Sequence, residues 1–113
     1  VSDRRLKTDI NKISPLIDKV MKLNVLEYKF KGQKEDKTQI GLIAQDVEKL
    51  FPSVVSAPKK SAEGESFYTI DYSNFGVIAI KAIQEQQEII KDQQQSIDEL
   101  KSRLERLEKL LDK

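Results

Sequence analysis

The sequence predicts an α+β fold: a small mixed domain of short strands and helices, followed by a long C-terminal helix that forms a trimeric coiled coil. Three observations predict it. Residues 1–75 mix short apolar runs with turn signals, whereas Gly76 is followed by neither proline nor further glycine. Within that second segment, Ile83, Ile90, Ile97, Leu104 and Leu111 recur every seven residues, which is the repeat of a left-handed coiled coil. The expected division is therefore 1–75 for the mixed domain and 76–113 for the helix.

Within the first segment, Ser14-Pro15 reads as a helix opening, since serine caps orphan N–H groups and proline tolerates the first helical position. Leu16, Ile17, Val20 and Met21 follow at helical spacing and should bury one side. In VLEYKFK, Leu26, Tyr28 and Phe30 alternate with Glu27 and Lys29, a half-buried strand. KGQKEDK is a charged loop. In QIGLIAQDVEKLFP the period changes midway. Ile40, Leu42 and Ile43 suit a short buried strand, and Gly41 suggests a close backbone approach. Val47, Leu50 and Phe51 share a helical face that Pro52 terminates. Residues 58–66 read as a polar loop and SFYTIDY as a further strand. Three or four strands and two short helices in 75 residues bury only a marginal core. The segment is expected to lean on a partner.

The tail supplies one. With Ile83, Ile90, Ile97, Leu104 and Leu111 at heptad position a, Gln86, Gln93, Leu100 and Leu107 fall at d. From Ile83 to Leu111 the helix runs about 43 Å, too long an apolar stripe to leave in water. Isoleucine at a with leucine at d leans toward a dimer in the simplest rule. Two features favour a trimer. Gln86 and Gln93 can bond to one another around the axis of a wider core. RLERLE, residues 103–108, also resembles the pattern associated with parallel trimers, in which Arg103 reaches Glu108 of the next chain.

Composition excludes much. The 20 basic and 19 acidic residues leave a net charge of +1, which argues for neither nucleic acid nor an anionic membrane. No apolar run is long enough to cross a bilayer, and no secretory leader is expected. Without cysteine or histidine, disulfides, the usual zinc sites and every Ser-His or Cys-His pair are ruled out. No metal and no cofactor is expected. Any catalysis must use Ser, Thr, Lys, Tyr, Asp or Glu.

Several motifs carry bland readings. Gln45, Asp46 and Glu48 form the polar face of a short helix rather than an acid pair. Tyr28, Phe30, Phe67, Tyr68 and Tyr72 read as core aromatics rather than a stacking surface. Gly64 is a lone turn glycine, and Lys59-Lys60 is too small a basic patch for nucleic acid.

SDRRLKTDI, YKF, IGLIAQDVEKLFP, YTIDYS and NFGVIAIKAIQEQQ occur in that order over almost the whole chain. This resembles the C-terminal intramolecular chaperone domain of phage endosialidases, tail spikes, tail fibres and neck appendages, a module shared with the self-cleaving myelin regulatory factors. The resemblance implies a homotrimer that assists folding of an upstream β-rich fibre or spike of the same polypeptide and then cuts itself off. It would work in the host cytoplasm during phage assembly and be released from the mature virion. The family's S-D-x-R-x-K element falls on Ser2, Asp3, Arg5 and Lys7, with Ser2 as nucleophile, Lys7 as base and the Val1–Ser2 peptide as the bond cut. The alternative is a structural trimerisation cap with the same fold that does not cut.

The chemistry is reasonable without histidine, because a neutral lysine can take the serine proton. A free lysine titrates near about 10.4 and serves as a base when lowered toward roughly 7–8. Burial and neighbouring positive charge both push that way, and Arg4 and Arg5 are close; Asp3 and Asp9 would oppose them. Five residues of extended chain span about 16 Å. Within one chain the pair therefore needs a tight bend; otherwise Lys7 must serve a neighbouring subunit.

Overall fold

The computed structural model describes residues 1–59, 64 and 66–112. Helix α1 spans Ile17–Met21, strand β1 Leu26–Tyr28 and strand β2 Gln39–Gly41. Helix α2 spans Ala44–Leu50, strand β3 Val55–Ser56, strand β4 Thr69–Ile70 and helix α3 Asn74–Leu111. Two single 3₁₀ turns, Arg4–Leu6 and Pro52–Val54, complete the order. The architecture is α+β with a long C-terminal helix, as the sequence predicts. The polar loop expected over 58–66, with Lys60, lies mostly outside the described residues.

The strands form two separate antiparallel pairs. Leu26 sits opposite Gly41 and Tyr28 opposite Gln39 in one, and Val55 sits opposite Ile70 in the other. Gly41 is a point of close approach, as expected: a Cβ there would stand 2.8 Å from the Tyr72 hydroxyl. That hydroxyl accepts a 3.0 Å hydrogen bond from the Leu42 N–H, so the missing side chain lets Tyr72 tie β2 to the start of α3. In the charged loop, the Gln33 amide donates to the backbone carbonyls of Glu35 and Lys37. Lys29 also pairs with Asp36.

Proline does what the pattern predicts at the end of α2. Phe51 N–H still reaches the Val47 carbonyl at 2.7 Å, and Pro52 then opens the 3₁₀ turn. The α3 terminus is organised from upstream: Asp71 accepts hydrogen bonds from the Ser73 N–H and hydroxyl and from the Asn74 amide. This is the local competition that makes aspartate a turn and cap residue.

The start of α1 departs from expectation. Ser14 does not cap it, and Pro15 precedes rather than opens the helix, whose boundary residue is Leu16. The orphan N–H groups of Leu16 and Ile17 instead donate to the Glu85 carboxylate on α3, at 3.0–3.3 Å. A carboxylate is a stronger acceptor than a hydroxyl, and packing α1 on α3 brings it within reach.

The core is small. Among the described residues, only Leu16, Val47, Phe51, Val54 and Ala82 are buried hydrophobics, with Val20, Leu23, Leu42, Leu50, Phe75 and Ile78 partly covered around them. Phe75 meets Phe51 edge to face, with ring centroids 6.2 Å apart, so the first turns of α3 close this core. Several residues expected inside stand in solvent. Met21 is 77% exposed, because at about 100° per residue it points away from the side of α1 on which Leu16 and Val20 meet the core. Phe30, Phe67 and Tyr72 are also exposed and Tyr28 and Tyr68 only half-buried: β1 ends at Tyr28 and β4 spans only Thr69–Ile70, so of the five only Tyr28 lies in a strand. The strand expected to be buried at Ile40, Leu42 and Ile43 leaves Ile40 and Ile43 exposed, because β2 pairs with β1 alone.

Every described residue from Gln86 to Asp112 is exposed. The radius of gyration is 23.1 Å, whereas a compact chain of this length would have about 13 Å. Over its 38 residues α3 runs about 57 Å, most of it standing clear of the domain. No described helix is long and apolar enough to cross a membrane.

Replacing Glu85 with alanine should strand two N–H groups at a partly buried helix start. A charge-assisted cap of this kind contributes about 1–2 kcal/mol. Glu85→Ala should therefore lower the thermal midpoint by circular dichroism while preserving the α3 signal, and an unchanged midpoint would refute the cap's importance.

Candidate active site

The leader supplies the candidate chemistry, and its geometry starts from Asp3. The Asp3 carboxylate accepts the Arg5 N–H at 2.8 Å, capping the 3₁₀ turn Arg4–Leu6. The Arg5 guanidinium folds back on the same carboxylate, Nη2 to Oδ2 at 2.9 Å and Nε to Oδ1 at 3.2 Å. Within the turn, Leu6 N–H reaches the Asp3 carbonyl and Lys7 N–H the Arg4 carbonyl, each at 3.1 Å. A 3₁₀ turn rises only about 2.0 Å per residue, far less than extended chain. That is the tight bend a one-chain dyad requires.

The bend brings Lys7 Nζ to 2.5 Å from Ser2 Oγ, where the ammonium donates to the hydroxyl. Once the amine is neutral, the same geometry lets it accept the hydroxyl proton and release the oxygen for attack. Both side chains are exposed. Two charges the sequence set beside Lys7 are already matched, since Asp3 and Arg5 satisfy each other. The pair lowers Asp3 below the carboxyl's ordinary 3.8, chiefly through the Arg5 side chain and then through its backbone N–H. It raises Arg5 in turn. Downstream, Asp9 takes a positive φ of 53°, a conformation aspartate tolerates better than most side chains, and so turns the leader again.

The other candidates lie elsewhere. Gln45 and Asp46 are exposed and Glu48 half-buried on α2, the polar face expected of them. Val1 is fully exposed at the bond before Ser2. Ile83, Ile90, Ile97, Leu100, Leu104, Leu107 and Leu111 form an exposed stripe along α3, with Gln86 and Gln93 exposed in the same row. Sequence reasoning missed Glu85. Its partners lie 69 and 68 residues away, and a glutamate at an outer heptad position gives no local sign of capping another helix.

Residues 2–56 match the family model described as chaperone of endosialidase, so the match begins at the serine of the pair. The chain is 40% identical over 96 residues to the long tail fiber protein Gp37 of Enterobacteria phage M1. The long tail fiber protein Gp37 of Enterobacteria phage Ox2 matches to the same degree. Each alignment covers 80% of this chain and 38% of the relative. The chain thus spans well under half the length of the curated relatives it matches.

The Asp3–Arg5 pair sets a pH window for the turn. A carboxylate held below its ordinary value stabilises the structure above that value, and the contribution disappears as the pH falls through the lowered one. The Arg5 amide resonance should therefore titrate with a midpoint below the carboxyl's ordinary 3.8 and be settled at neutral pH. A midpoint above 3.8, or an Asp3→Asn variant with an unchanged Arg5 amide, would contradict the cap.

Proposed function

We propose, from the match of residues 2–56 to the family model described as chaperone of endosialidase, that the chain is a C-terminal intramolecular chaperone of a phage fibre or spike that releases itself by Ser-Lys autocleavage. The observation that carries the reading is Lys7 Nζ 2.5 Å from Ser2 Oγ, in a leader bent for that approach by Asp3 and Arg5. Residues 1–75 act as the chaperone and autoprotease unit, and residues 76–113 as the assembly helix. The unit works in the host cytoplasm during phage assembly and leaves the mature virion.

Neutral Lys7 takes the proton from Ser2 Oγ, and the oxygen attacks the carbonyl carbon of Val1. The bond from Val1 carbon to Ser2 nitrogen breaks, the nitrogen gains a proton, and an ester joins Val1 to the serine oxygen. Water then hydrolyses the ester, leaving a carboxylate on Val1 and a free N-terminus on Ser2. Nothing beyond water is consumed, and each chain cuts once.

Assembly as a parallel homotrimer is supported by the exposed stripe from Ile83 to Leu111, because a single helix leaves it in water. The small core points the same way. A trimerisation cap that does not cut is the second reading, favoured by the exposure of both dyad side chains in a single chain.

Two experiments test these readings. In a precursor carrying native upstream sequence, Ser2→Ala should abolish cleavage and Lys7→Ala should slow it severely. Lys7→Arg should not rescue it, since guanidinium stays protonated. The wild-type rate should rise with pH as the amine loses its proton. Efficient cutting by Lys7→Arg, or a new N-terminus away from Ser2, would overturn the dyad. For assembly, sedimentation equilibrium of the chain should return three times 13.0 kDa, and Ile90→Asp with Ile97→Asp should dissociate it by forcing charge into the seam. A dimer would remove the roles given to Gln86, Gln93 and Arg103.

A further inference from the structure

We infer that the leader of one chain packs into an apolar groove on a neighbouring copy, so that the Ser2–Lys7 pair is seated on a second chain. The inference rests on the homotrimer reading. The groove lies between α1, the β1–β2 pair and the first turns of α3, and is lined by Val20, Val25, Ile40, Leu42, Phe75 and Ile78. None of its lining residues is charged, yet Val25 is 73% and Ile40 74% exposed. Such a surface calls for an apolar occupant.

The leader has the matching chemistry. Leu6, Ile10 and Ile13 are 74%, 57% and 57% exposed, and no leader residue lines the groove of its own chain. An otherwise polar leader therefore presents three large aliphatic side chains to water, and an open groove of the same chemistry stands vacant.

Two further observations select a neighbour as the source. Ala79 lines the groove and lies four residues before Ile83, on the same stripe as the heptad seam. A copy seated on the seam therefore borders the groove. Glu85 also holds the inner end of each leader through the Leu16 N–H. In parallel helices in register, the neighbour's Leu16 is held at the height of Glu85, six residues and about 9 Å along the axis from Ala79. From Leu16 back to Ile10 the leader spans up to about 20 Å of extended chain. That is enough to carry Ile13 and Ile10 across to the groove.

Docking would also remove water from the dyad. In the single chain Ser2 and Lys7 face solvent, and covering the leader supplies the desolvation that favours a neutral amine. Cleavage would then follow assembly.

The chain has no cysteine of its own, which permits a direct test on the full chain. A chain carrying Ile10→Cys and a differently tagged chain carrying Ile40→Cys are refolded together and mildly oxidised, and oligomeric state is read by sedimentation. The inference expects a disulfide between the two tagged chains within trimers. It expects little with Met21→Cys in place of Ile40→Cys, since Met21 is exposed but outside the groove. A chain carrying both Ile10→Cys and Ile40→Cys, diluted into excess cysteine-free chain, should lose the link. An intrachain link that survives dilution would show that the groove takes its own leader. Trimers without the link, or equal linking at Met21→Cys, would overturn the inference while leaving the trimer standing. A monomer would overturn the trimer reading and this inference with it. As a second measurement, Ile10→Asp should leave the trimer intact but speed proteolysis of the leader by roughly tenfold or more, the loss expected when one buried isoleucine is removed from a docked segment. Unchanged proteolysis would count against docking.

Discussion

The fold turns on one carboxylate. Glu85, on the long helix, accepts the first N–H groups of α1, and this contact decides where everything N-terminal to it can lie. A five-residue helix is unstable alone, and this cap acts together with the packing of Leu16, Val20 and Leu23 on the core. With it, Leu16 is driven into the core beside Ala82, and the leader starts from a fixed point on α3. Because Glu85 lies two residues beyond the first seam isoleucine, the same helical turn serves the domain on one face and the open stripe on another.

That dual use follows from helix geometry. Phe75, Ile78, Ala82 and Glu85 recur at three- and four-residue intervals, which stacks them on one side of α3. Ala79, Ile83, Gln86 and Ile90 occupy the adjoining side, where the structure leaves them in solvent. One helix thus carries the packing face of the mixed domain and the exposed stripe side by side, without any linker between them.

The Ser2–Lys7 pair has the opposite character. Its bend is made by contacts among neighbours: an aspartate cap, a guanidinium closing on it and one 3₁₀ turn. Local contacts place the two side chains together, but they remove no water.

What the sequence determined by itself was whatever depends on near neighbours. The span of α3 follows from the lack of glycine and proline after Gly76, the end of α2 from Pro52, and the close approach at Gly41 from the residue type. The row of Ile83, Ile90, Ile97, Leu104 and Leu111 along one side of α3 was legible because a seven-residue period survives in one dimension. Ser2 and Lys7 stood out in a short motif, but whether they meet within one chain stayed open until the turn at Arg4–Leu6 was seen. Tertiary structure alone decided the rest. Ser14 promised a cap that Glu85 makes instead, because a helix start takes the strongest acceptor within reach and that acceptor lies 69 residues away. The alternation of VLEYKFK promised burial for Leu26 and Phe30, yet both stand in solvent. Alternation states which side chains share a face, and only the number of layers packed against that face decides whether they are covered.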